Sequence, residues 1–261
     1  MFIEETRIYL NNINMTSSKF SVLIPYYNSK KTIKRSVQSA LIQDFVGEIL
    51  IYNDGSDAES SDYLNFIKSL DAKIKIYNSE ANWGAGFARK FLIKKSNMEF
   101  IAFLDADDEW LPNKLNMQKN YFDSNPDALI VSTAYYLVDV NKSKVITAPD
   151  KIYFKDLLNC NWIGNSTATL RRSDGLKVDY PQIRRRQDYA FWLSILEIDR
   201  KKYAKCIQEP LVKYHVLKDS LSSSHLKNIK FNFIVFYKHM NFTLMYSIYI
   251  LLKNIYYRLL K

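Results

Sequence analysis

Three carboxylates within four residues, Asp105-Ala-Asp-Asp108, directly follow the apolar run Phe100-Ile-Ala-Phe-Leu104. Like charges this close repel one another unless a cation sits among them. Oxygen donors with no His or Cys beside them favour Mg²⁺ or Mn²⁺, ions that commonly share their coordination sphere with substrate phosphates. The plain alternative is an acidic turn capping the helix that Trp110-Leu-Pro-Asn-Lys114 begins. Two other loops tip the balance. Pro25-Tyr-Tyr-Asn28 follows the apolar run 20–24, and Asn53-Asp-Gly-Ser56 follows the run 48–52. Asp54 in the second could accept a hydrogen bond from a nucleobase imide or a ribose hydroxyl, although an Asx turn alone would read the same way.

Such loops do chemistry together only if the elements before them end at one edge. The runs 20–24, 48–52, 73–77 and 100–104 have strand length and β-branched or apolar character. Between them, residues 29–45, 60–70 and 82–95 carry helical spacing; Ile33, Val37, Ala40 and Leu41 share one face. This alternation predicts an α/β fold, a mostly parallel sheet with helices on both faces. Ligands of such sheets bind beyond the carboxyl ends of the strands, where all three loops fall. Residues 129–133 and 135–140 read as further strands and 188–198 as a helix. No internal repeat is visible.

The chain of 261 residues carries 48% apolar and 25% charged residues, which excludes disordered and fibrous classes. Cys160 and Cys206 form no disulfide framework and no metal-ligand spacing, in keeping with a reducing cytosol. The first twelve residues lack the apolar run of a secretory signal. The net charge is +10, and residues 220–261 hold six cations and no acid, leaving +4 for the other 219 residues. A basic chain meets a polyanion, a nucleotide or an anionic lipid surface.

The motifs together closely resemble the family 2 glycosyltransferases, inverting enzymes with the Rossmann-like GT-A fold. The resemblance is carried by Ser21-Val-Leu-Ile-Pro-Tyr-Tyr-Asn28, Gln43 ahead of Glu48-Ile-Leu-Ile, Asn53-Asp-Gly-Ser56, Asn82-Trp-Gly84 leading to Ala88-Arg89, and Phe103-Leu-Asp-Ala-Asp-Asp-Glu-Trp-Leu-Pro112. It extends to Arg186-Gln-Asp-Tyr-Ala-Phe-Trp192 and to Tyr214-His215 through Ser220-Leu-Ser222, covering about residues 19–225. It implies that Pro25, Tyr27 and Asp54 line the base pocket. Asp105 and Asp107 would form the DxD pair beside Asp108, binding ribose and a diphosphate bridged by Mn²⁺ or Mg²⁺. Arg89 would lie near the donor, and Asp188 would be the general base. Two positions depart from the family pattern: Asn53 replaces the first Asp of Asp-Asp-Gly-Ser, and Asp57-Ala58 displaces the acid that commonly follows.

Inverting transfer needs a hydroxyl nucleophile opposite the leaving diphosphate, and a carboxylate in reach must take its proton. Asp188 at the open end of a helix suits that role, while the plain reading is an N-terminal cap among Arg184-Arg-Arg186. At least two of these arginines read as a solvated face. His215 and His225 read as packed or surface imidazoles.

The sequence thus divides into an N-terminal extension over 1–18, a catalytic domain over 19–225 and a basic, aromatic helical segment over 226–261. Lys238 and Lys253 bracket fourteen uncharged residues, short of the roughly twenty a spanning helix needs. The segment fits the interface of an anionic membrane, with packing back onto the domain as the alternative. Nucleic acid is not an expected partner, since stacking aromatics would have to sit on a sheet or loop platform. The family resemblance further implies a nucleotide-diphosphate sugar donor, with UDP-glucose or UDP-galactose foremost. The acceptor would be a saccharide on undecaprenyl diphosphate, extended for O-antigen or capsule, and the enzyme peripheral on the cytoplasmic face of a bacterial membrane. Rival readings are direct transfer to a polyprenyl phosphate and a non-catalytic sugar-nucleotide scaffold.

Overall fold

The computed structural model describes residues 16–139, 142–172, 179–216 and 225–259. Of the N-terminal extension, residues 1–15 lie outside this set, as does Ser220-Leu-Ser222; Thr16 already opens the first strand. The first half alternates β1 (Thr16–Tyr26), α1 (Lys30–Leu41), β2 (Val46–Asp54), α2 (Ala58–Ser69), β3 (Ile74–Ser79), α3 (Ala85–Lys95) and β4 (Met98–Phe103). The second half comprises β5 (Glu109–Trp110), α4 (Lys114–Ser124), β6 (Ile130–Asp139), β7 (Lys142–Ile146), β8 (Lys151–Tyr153), α5 (Phe154–Asn159), β9 (Thr169–Arg171), α6 (Gln187–Ile198), β10 (Tyr203–His215), α7 (His225–Ile234) and α8 (Leu244–Leu259).

The strands form one sheet in the order β3-β2-β1-β4-β9-β6-β10-β5, with β7 on β6 and β8 on β10. The expected parallel pairing holds for the first four strands, Leu23 facing Leu50 on one side and Phe103 on the other. Beyond β4 the sheet is mixed: β9 is antiparallel to both β4 and β6, while β6 and β10 are parallel. Burial on both faces explains the continuous apolar runs of β1 and β4. Val22, Ile24, Phe100 and Ala102 pack with Ile33 and Val37 of α1, Leu64 of α2 and Phe122 of α4. Leu23, Ile101 and Phe103 face the other way, toward Leu92 of α3, Leu157 of α5 and Phe191 and Trp192 of α6.

Two readings change. The runs expected at 129–133 and 135–140 merge into one strand, β6, because Ala134 stays in the sheet, paired with Pro210 of β10 across a register shift; residue 140 lies outside the described residues. Trp110 lies in β5, antiparallel to β10, rather than at a helix start, and α4 begins at Lys114.

A buried carboxylate ties the parallel strands together below the site. Glu48 accepts from Ser21 Oγ at 2.7 Å, Asn97 N at 2.8 Å and Lys75 Nζ at 2.9 Å, joining β2 to β1, β3 and the entry to β4. Burial alone would raise its pKa; the three donors outweigh burial and hold it below the ordinary carboxylate value. Its stabilising effect is therefore complete above about pH 4.3, the ordinary Glu value, and is lost as pH falls through the depressed one. Glu48→Ala should cost about 1–3 kcal/mol, because the buried Ser21 hydroxyl loses its acceptor. Urea unfolding of the variant measures this loss.

Candidate active site

The loops after β1, β2 and β4 meet at one edge of the sheet and floor a cleft of about 1070 Å³. The first two are stitched together: Asn28 N donates to Ser56 Oγ at 3.1 Å, and Asp57 N donates to Asn28 Oδ1 at 2.9 Å. The displaced acid Asp57 caps α2, accepting from Ser60 N at 2.8 Å. Asn53 is buried and bridges Ser61 Oγ and Asn78 Oδ1, a structural role. Gly55 has φ +69° and its missing Cβ would lie 2.6 Å from the Ala81 carbonyl carbon, so only glycine fits there.

Pro25, Tyr27, Asp54, Arg89, Asp105, Asp107 and Asp188 all line this cleft. Tyr27 is half exposed over it, while Asp54 is buried beneath. Both Asp54 oxygens accept backbone bonds, from Trp83 N at 2.8 Å and Gly84 N at 2.7 Å. Asp54 thereby fixes the turn that starts α3.

From α3, the buried Arg89 reaches across and ion-pairs with Asp105. Burial would lower the Arg89 pKa, but the charges of Asp105 and Asp188 more than offset it and the guanidinium stays protonated. Asp105 is further held by Asn165 Nδ2 at 3.0 Å, and Asn165 by the Tyr180 hydroxyl at 3.3 Å. Asp107 has no such clamp. Burial first, and the neighbouring Asp105 second, push its pKa up to about 6, as expected of a carboxylate in a cleft with a like charge beside it.

Asp108 departs from expectation. Its side chain is 1% exposed and points into the core, accepting from Ser166 Oγ and from His215 N at 3.1 Å. Burial, then the charges of Asp107 and Asp105, raise its pKa well above the ordinary value. It is a brace for the loop and does not line the cleft, because the chain turns at 105–108, where Asp108 N donates to the Asp105 carbonyl at 3.1 Å. Among the described residues no three His, Cys, Asp or Glu side chains converge on a metal position. Asp107 with Asp105 fits a hard divalent ion only where a substrate diphosphate completes the sphere.

The far wall comes from the second half of the chain. Asp188 sits in the first turn of α6, behind Arg186 in the left-handed region at φ 62°, and accepts from Asn161 Nδ2 at 3.1 Å. Arg184 is exposed, but Arg185 and Arg186 both line the cleft, against the expectation of a solvated face for two of the three. Arg186 Nε donates to Asn232 Oδ1 at 2.7 Å and its guanidinium lies over the Tyr189 ring, fixed by α7. Gly86 lets this wall approach α3: a Cβ there would lie 2.6 Å from the Pro181 carbonyl oxygen. Gly86→Ala should therefore cost about 1–3 kcal/mol, read as a lowered thermal midpoint.

Sequence reasoning missed Asn161, Asn165 and Ser166. Ser166 accepts from Asp105 N at 3.0 Å, donates to Asp108, and its carbonyl accepts from Trp110 Nε1 at 2.8 Å. A polar run with Gly and Trp but no regular spacing, Asn161-Trp-Ile-Gly-Asn-Ser166, was the available signal.

The model of the family described as "Glycosyl transferase family 2" matches residues 21–177. An Escherichia coli protein, UDP-Glc:alpha-D-GlcNAc-diphosphoundecaprenol beta-1,3-glucosyltransferase WfgD, is 34% identical over 215 residues, 80% of this chain and 82% of its own. Staphylococcus aureus TarS residues 1–349, solved with UDP-GlcNAc, has a TM-score of 0.68 at 17% identity, covering 91% of this chain and 71% of its own. The mannosyltransferase PcManGT of Pyrobaculum calidifontis, solved with GDP-Man and Mn²⁺, has a TM-score of 0.65 at 13% identity, covering 93% and 71%.

Proposed function

Because this chain belongs to glycosyl transferase family 2, we propose that it moves a hexose, with inversion, from a uridine-diphosphate sugar to a hydroxyl of a lipid-linked saccharide. The observation that carries this reading is the single cleft lined by Asp54, Arg89, Asp105, Asp107 and Asp188. The relative WfgD carries UDP-Glc and a GlcNAc-diphosphoundecaprenol acceptor in its name, which supports UDP-glucose as donor and a lipid-linked saccharide as acceptor.

The base and ribose would lie against Pro25, Tyr27 and Asp54. A divalent ion such as Mn²⁺ or Mg²⁺ on Asp107 and Asp105 would neutralise charge on the departing diphosphate. Arg89, locked in its ion pair, orients Asp105 and adds fixed positive charge to the same region. Asp188 on the opposite wall takes the proton from the acceptor hydroxyl as it attacks. A carboxylate there favours a hydroxyl acceptor over a polyprenyl phosphate, which is already anionic and needs no base.

Incubation with a panel of UDP-, GDP- and dTDP-sugars and Mn²⁺, with slow donor hydrolysis as readout, tests this. Hydrolysis confined to UDP-glucose or UDP-galactose is expected. Firm UDP binding with no hydrolysis of any sugar would support a scaffold instead.

A further inference from the structure

The last helix, α8, buries polar side chains and turns a stripe of apolar ones outward. Toward the domain, α8 buries Ser247 and Asn254 beside Ile250. Asn254 Nδ2 donates to the Asn159 carbonyl at 2.9 Å, and Asn254 Oδ1 accepts from Asn232 Nδ2 at 3.0 Å. Outward, α8 presents Met245 at 77% exposure, Leu252 at 61% and Tyr256 at 63%, with Leu244, Ile248 and Tyr249 in the same stripe. A helix whose outer side met only water would carry the opposite arrangement. Packing on the domain, the alternative to a membrane role, is thus true of one face and leaves the other uncovered.

We propose that this outer face docks on an anionic bilayer surface, a reading that rests on the lipid-linked acceptor above and deepens it. Charge chooses this occupant. Lys238, just ahead of α8, and Lys253, between Leu252 and Tyr256 on it, are both exposed, and residues 220–261 contain no acid. Exposed tyrosines between them suit the headgroup level, where an apolar ring and a wet hydroxyl are both satisfied. The helix has sixteen residues, about 24 Å, and no helix of the described residues is long and apolar enough to cross a membrane. It would lie in the interface, apolar face down.

The placement relative to the cleft gives the docking a purpose. Tyr257, at the last turns of α8, packs edge-on against Trp162 with ring centroids 6.0 Å apart, and Trp162 and Asn228 line the cleft beside Asp188. The docked helix would therefore bring the acceptor side of the cleft to the headgroup layer, where a lipid-borne diphosphate saccharide resides.

Flotation of the full chain with vesicles of mixed phosphatidylcholine and phosphatidylglycerol, and with pure phosphatidylcholine, tests this. Binding to the mixed vesicles should be tighter by about tenfold or more, as expected for two lysines at about 1 kcal/mol each. Met245→Glu with Leu252→Glu should weaken it at least about tenfold. Both positions are exposed, so the thermal midpoint and UDP affinity should stay unchanged. Absence of wild-type flotation, or equal flotation of the double variant, would overturn the proposal. So would a concentration-dependent dimer that the same substitutions dissociate, since a second copy would then cover the face. Flotation needs no sugar transfer: vesicle binding without donor hydrolysis would sustain the docking and sink the activity, and the converse would do the reverse.

Discussion

Asp188→Asn should lower turnover by about 10²–10⁴-fold, the usual span for removing a general base, while UDP affinity with Mn²⁺ stays as in the wild type. The amide keeps the shape and can still accept from Asn161, whose Nδ2 lies 3.1 Å from Asp188 Oδ2, so the wall should survive. Asp188 also stands apart from the loops after β1, β2 and β4 that would hold the nucleotide, which is why binding and turnover should separate. Titration calorimetry with UDP and Mn²⁺, beside steady-state rates, reads both. Loss of donor binding in proportion to rate would remove Asp188 from the base role and make it part of the nucleotide site.

Asp107→Asn should abolish the gain in donor affinity that Mn²⁺ confers and lower turnover about 10²–10³-fold, as for loss of a main electrostatic contact to developing charge. The reason lies in how the three carboxylates are used. Asp105 is committed to Arg89 and Asn165, and Asp108 to Ser166 and the His215 amide. Asp107 is raised by its burial and by Asp105, so a cation there relieves a repulsion the fold otherwise carries. Calorimetry of UDP with and without Mn²⁺ measures the effect. Asp108→Asn serves as the contrast and should leave the Mn²⁺ gain in place. The same loss in both variants would mean that loop collapse, and not ligation, is being read.

The parallel half of the fold was legible because its strands are buried on both faces, so Val22, Ile49 and Phe103 sit in near-continuous apolar runs. The loops that follow inherit their positions from those strands, so Pro25, Asp54 and Asp105 could be placed in one edge cleft from sequence alone. The second half was harder for physical reasons. β7 is almost wholly exposed and reads as a charged loop. β10 is broken by register shifts on both sides of Pro210, which cannot donate to a ladder. Asn165 and Ser166 act by side-chain bonds to residues about sixty positions away, a relation no local spacing records. Asp108 could not be told from Asp107 without knowing which way each side chain turned.

The cleft has two walls of separate origin. Pro25, Tyr27, Asp54, Arg89, Asp105 and Asp107 come from chain before residue 109, whereas Asn161, Trp162, Asp188 and Asn228 come after residue 159, with the Asn165-Ser166 clip among the links between them. Such a seam lets recipient preference drift or be grafted independently of the activated-sugar side. A chimera exchanging residues 160–259 with a relative's counterpart, with Asn165 and Ser166 kept so that their bonds to Asp105 and Asp108 survive, should inherit the relative's choice of sugar recipient and keep this chain's choice of nucleotide.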